Sequence, residues 1–77
     1  MITEQHMLTF NVTHTDQLEK LIAVRRSEVQ LGTIKVDRVT LTQKSVFISN
    51  GNTEWSREEL LQIVERMQEQ DWIRENT

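Results

Sequence analysis

A chain of 77 residues with 36% hydrophobic and 27% charged side chains is one domain with a modest core, and its composition excludes a disordered polymer. No apolar run approaches the roughly 20 residues that a bilayer-spanning helix needs, and without cysteine there is neither a disulfide nor a zinc–thiolate site. The net charge of −3 belongs to the C-terminal half: residues 1–38 balance five acids against five bases, whereas residues 39–77 hold seven acids and four bases, a distribution that disfavours nonspecific binding to phosphates.

The N-terminus, M-I-T-E-Q-H-M, has neither the basic nor the apolar segment of a signal peptide, so a cytoplasmic protein is expected. Leu8, Phe10 and Val12 alternate with Thr9 and Asn11, which predicts a half-buried strand over Met7 to Val12. Thr13-His14-Thr15-Asp16 is rich in capping residues; Thr13 with Asp16, or Asp16 with Glu19, predicts the start of a first helix running to about Gln30 and stopped by Gly32. Its apolar stripe is Leu18, Leu21, Ile22 and Val29, with Arg25 projecting into the middle of it.

Past Gly32 the pattern changes phase. A bulge near Asp37-Arg38 puts Ile34 and Val36 on the core side with Val39 and Leu41; without one, Ile34 and Val36 share the outer face with Phe47. Asn50-Gly51 predicts a two-residue type I′ hairpin, and a second two-residue turn at Gln43-Lys44 aligns Val39, Leu41, Val46, Ile48, Thr53 and Trp55 on the inner face of a three-stranded meander. Ser56-Arg57-Glu58-Glu59 has the form of a capping box, and Leu60, Ile63, Val64 and Met67 make an apolar stripe with Leu61 at its edge. Asp71 falls on that stripe, so either the second helix ends near Gln70 or Asp71 has a partner, for which Arg25 is the candidate. The expected fold is α+β, in the order β-α-β-β-β-α, with two helices on one face of an antiparallel sheet of three to four strands.

No enzyme motif is present. His6 and His14 lack a third ligand at metal-binding spacing, and the two glycines are assigned to a helix stop and a turn, leaving no phosphate loop. No cofactor is expected. The expected activity is therefore binding, with Phe47, Ile34 and Val36 on the outer sheet face, Trp72 near the end of the helix, and Glu65 and Glu69 on its acidic face as partner-binding residues, in a protein expected to be a homodimer. The alternative is a nucleic-acid-associated regulator using Arg25, Arg26, Lys35 and Arg38.

The passage K-S-V-F-I-S-N-G-N-T-E-W-S-R-E-E-L-L-Q-I-V-E-R-M resembles the strand, Asn-Gly turn, short strand and capped helix that end many small proteins of bacteriophages, prophages and plasmids. The resemblance rests on structural residues. It implies an accessory or inhibitory factor that modulates a host or viral protein, including proteins of bacterial defence, and it carries over no functional residue.

Overall fold

The computed structural model describes residues 7–38 and 44–75, with side chains as far as Gln70. Strands β1 (Thr9–Thr15), β2 (Glu19–Arg26), β3 (Val29–Asp37) and β4 (Ser45–Ser49) form one antiparallel sheet in the spatial order β1-β2-β3-β4, and helix α1 (Arg57–Glu75) covers one face of it. The α+β class agrees with the expectation. The order does not: among the described residues there is one helix, and it comes last.

The predicted first helix is a β-hairpin. Asp16 accepts hydrogen bonds at Oδ1 from the backbone N–H groups of Leu18 (2.8 Å) and Glu19 (2.9 Å), the same local bonds that an N-cap makes, but here they close the turn between β1 and β2. The run Leu21-Ile22-Ala23-Val24 then settles the matter in favour of a strand. Ile22 and Val24 enter the core on one face, where a helix would have left Leu21 and Val24 a turn apart, and both faces of the strand are occupied, Ala23 being buried on the other side. Ser27 and Glu28, both at positive φ (53° and 72°), turn the chain into β3, as a type I′ turn demands. Two non-glycine residues in that conformation gave the sequence no turn signal.

Gly32 stops no helix. It lies inside β3, paired with Val24 on one side and Ser49 on the other, and the Phe47 ring occupies the space above it: a Cβ there would stand 2.5 Å from Cε1 and 2.7 Å from Cζ. Phe47, Ile34 and Val36 do share a face, as the reading without a bulge required. That face is the core, with Ile34 0% and Val36 1% exposed beneath α1, so neither offers a partner anything. Val46 and Ile48, expected inside, are 51% exposed on the uncovered side. A strand's faces differ by one residue of register, and β3 fixes that register by pairing Ile34 with Phe47.

Asn50-Gly51 is likewise no hairpin. Only Gly51 has positive φ (51°); Asn50 donates its N–H to Leu31 O (2.9 Å) and its Nδ2 to Gln30 O (3.1 Å), while its own carbonyl accepts from Thr53 N–H (3.2 Å). The turn redirects the chain off the sheet toward α1, and Thr53 and Trp55 lie in the connection, not in a strand. Val39, Leu41 and Gln43, and with them the second predicted turn, lie outside the described residues, as does His6.

Leu8, Ile22, Val24, Ile34, Val36 and Ile63 form the core, with Phe10, Phe47, Trp55 and Met67 packed around it. The helix runs on to Glu75, which removes the first of the two alternatives at Asp71, an end near Gln70.

Candidate interaction surfaces

The capping box at the start of α1 forms as expected. Ser56 Oγ accepts from Glu59 N–H (3.1 Å), and Glu59 Oε1 accepts from Ser56 N–H (2.9 Å). The same carboxylate is gripped from below by Arg26, whose Nε donates to Oε2 and whose Nη2 donates to Oε1, both at 2.7 Å. Nη2 also donates to Glu54 O (2.8 Å), and the guanidinium stands 5.3 Å from the centroid of the Trp55 ring, within cation–π range. Trp55 meets Phe47 edge to face at 5.1 Å and donates Nε1–H to Ser49 Oγ (2.9 Å). From Gly32 through Phe47, Trp55 and Arg26 to Glu59, one stack ties the middle of the sheet to the first turn of the helix.

That stack sets the rotation of α1. Glu59 is 3% exposed, and a buried carboxylate must stay over its arginine. The face turned to the sheet is consequently Glu59, Ile63, Arg66, Met67 and Gln70, with Gln62 Oε1 accepting Leu8 N–H (2.9 Å), Arg66 over the Phe10 ring (4.7 Å) and Lys20 donating to Gln70 Oε1 (3.2 Å). Leu60, Leu61 and Val64, expected on or beside the buried stripe, are instead 43%, 52% and 46% exposed. Because Gln62 and Arg66 reach β1, the opposite flank carrying Leu60 and Val64 points toward the β4 side. The apolar strip is bordered by exposed Glu58, Glu65 and Glu69, the last only 3.9 Å from Arg66 Nη1.

The four bases of the nucleic-acid alternative do not make one patch. Arg26 lies on the helix side, held by Glu59, which raises its already high pKa further. Arg25 projects from the other face and donates Nη2–H to Glu28 O (2.7 Å), closing the Ser27-Glu28 turn. Lys35 stands 3.8 Å from Glu19 on the uncovered face, and Arg38 donates to Thr15 Oγ1 (2.9 Å). The bond of Arg25 to the turn carbonyl also explains how it interrupts an apolar pattern without being buried among it. The side chains of Asp71 and Trp72 lie outside those described.

On the uncovered face Leu18, Glu19, Lys35, Asp37, Lys44 and Val46 line an open depression of about 380 Å³. Its mixed charges include no nucleophile with an adjacent base. His14 Nε2 lies 2.8 Å from Asp16 Oδ2, and among the described residues no group of three or more His, Cys, Asp or Glu is placed to hold a metal. The Asp16 carboxyl falls to a pKa of about 2, chiefly because it accepts from the backbone N–H groups of Glu19 and Leu18, with His14 adding to the effect. Among the described residues no helix is long and apolar enough to cross a membrane.

No protein-family model, curated protein or solved structure matches the chain.

Of the sequence-predicted partner residues, the structure leaves Glu65 and Glu69 on the surface, half-buries Phe47 and buries Ile34 and Val36. Sequence reasoning missed Leu60, Leu61 and Val64 as surface residues. The signal was present in Glu59: a carboxylate bound to its own helix terminus that also finds a half-buried arginine takes the sheet-facing position away from a leucine.

Proposed function

We propose that this chain is a non-catalytic protein-binding factor, accessory or inhibitory to its partner, that recognises protein with the outward side of α1. The observation that carries this reading is the strip Leu60, Leu61 and Val64, three aliphatic side chains left near half-exposed by a helix whose phase is fixed elsewhere. The acids beside the strip, Glu58, Glu65 and Glu69, suit a partner surface that presents apolar side chains flanked by lysine or arginine, with the charges steering encounter and the aliphatic contact supplying affinity.

The test is affinity capture from cells that carry the protein, with the wild type and Leu61→Glu compared after circular dichroism has shown the same fold. A partner should be retained by the wild type and lost by the variant, and its binding should weaken as salt rises. Capture of the same proteins by both forms, or of none by the wild type, would remove the reading.

A further inference from the structure

We propose that β4 is a self-complementary edge on which a second copy of this chain docks, antiparallel and centred on Phe47, to give a sheet of eight strands, four from each copy. This goes beyond the binding function proposed for α1, since edge pairing needs no foreign partner.

Among the described residues β4 is an outer strand of the sheet, and its hydrogen-bonding parity is set by its ends. Asn50 N–H donates to Leu31 O, and Asp37 N–H donates to Lys44 O. Since paired residues alternate along an antiparallel ladder, Val46 and Ile48 turn their backbone groups toward β3. Ser45, Phe47 and Ser49 turn theirs outward. Centred on Phe47, an antiparallel copy sets Phe47 against Phe47 of the second copy and Ser45 against Ser49 of the second copy, so that every outward N–H and C=O of the strand finds a partner. A two-residue shift in either direction leaves some of them bare.

The side chains fit that same register. The strand reads Ser45-Val46-Phe47-Ile48-Ser49, which is nearly the same backwards: valine meets isoleucine on the uncovered face, phenylalanine meets phenylalanine, and serine meets serine. No charge lies within β4, and Lys44 would face Asn50 of the second copy, not another lysine.

The two edges of the sheet are also unlike. β1 carries a register shift between Val12 and His14, an irregularity of the sort that blunts an edge against pairing. β4 pairs with β3 without any such shift and has neither proline nor an inward charge. In the dimer both helices lie on one side of the sheet with their Leu60–Val64 flanks turned toward the two-fold axis, so a foreign partner would meet that strip twice.

The solution mass by light scattering across a concentration series should be twice the 9.1 kDa of one chain. Val46→Lys combined with Ile48→Lys places like charges opposite each other in this register and should halve the mass. Val46→Lys combined with Ile48→Glu places opposite charges there and should restore it, while leaving the acidic helix face, and with it capture of a partner through α1, untouched. Ser45→Pro, which removes one outward N–H and no bond to β3, should also give the single-chain mass. Amide exchange on the wild type reads the same edge without any substitution, with the N–H groups of Phe47 and Ser45 protected. A single-chain mass for the wild type at all concentrations, a dimer indifferent to both charge pairs, or fast exchange at Phe47 would each overturn the proposal.

Discussion

Arg26 and Glu59, 33 residues apart, grip each other at two points of 2.7 Å each, and the glutamate simultaneously caps its own helix. A pair at the end of β2 thereby decides which side of α1 faces the sheet. Replacing Arg26 by methionine leaves the buried carboxylate without its arginine, and removing one partner of such a pair costs up to about 3–5 kcal/mol. Glu59→Gln keeps an acceptor for the cap and should cost less, about 1–2 kcal/mol. Urea midpoints at unchanged m-value would show the order; equal, small losses for both would mean that the pair does not set the helix phase.

The Phe47 ring and Gly32 make a tight contact, 2.5 Å from where a Cβ would sit, with Ile48 O 3.0 Å from that point. Gly32→Ala must displace a ring already held edge-on by Trp55, an overpacking that costs about 1–3 kcal/mol. Combined with Phe47→Leu, the alanine should cost markedly less than it does alone, and a double-mutant cycle measures that coupling. Strict additivity would show that the ring and the glycine do not interact.

Ser27 and Glu28 occupy a type I′ turn without the residues that suit it. Ser27→Asn with Glu28→Gly should stabilise the protein by about 1 kcal/mol, since left-handed backbone is costly for ordinary side chains. The Arg25 bond survives the change, because it goes to the backbone carbonyl of residue 28. A lowered thermal midpoint would contradict the turn geometry.

Asp16 has a folded pKa of about 2 against an ordinary value of 3.8. A folded value below the unfolded one means stability that is fully present above about pH 4 and drains away as pH falls toward 2. Asp16→Asn retains an acceptor for the Leu18 and Glu19 amides but has no proton to take up. Its stability should therefore be flatter than the wild type's between pH 4 and 2, measured by urea titration at each pH; parallel curves would assign the acid sensitivity elsewhere.

Local chemistry that has a single structural meaning was legible in the sequence. Ser56 with Glu59 is a helix start because its reciprocal bonds have no counterpart in a turn, and the alternation at Leu8, Phe10 and Val12 does mark a strand, although it runs Thr9–Thr15 and leaves Val12 exposed. Asp16 with Glu19 was ambiguous, because an aspartate that accepts from amides two and three residues on can open a helix or close a hairpin. Asn50-Gly51 signals a turn without specifying the next element, which in this chain is a helix. The orientation of the sheet was the most consequential miss: Val46 and Ile48 look like core and Phe47 like surface until β3 supplies Gly32 as the recess that receives the ring. The candidate surface was hidden for a related reason. Hydrophobic periodicity chose Leu60 and Val64 for the core, and the long-range ion pair of Glu59 outweighed it.

Each strand of this sheet after the first pairs with its immediate predecessor in the sequence, so the sheet can be assembled by successive hairpins with short loop closures. Only the helix must reach back across the chain, to Arg26 and then to Leu8, whose amide it binds from 54 residues away. Fast zippering and then one late, expensive closure is the folding order such a topology dictates. Mutations at Arg26 or Gln62 should then speed unfolding while leaving the refolding rate nearly unchanged.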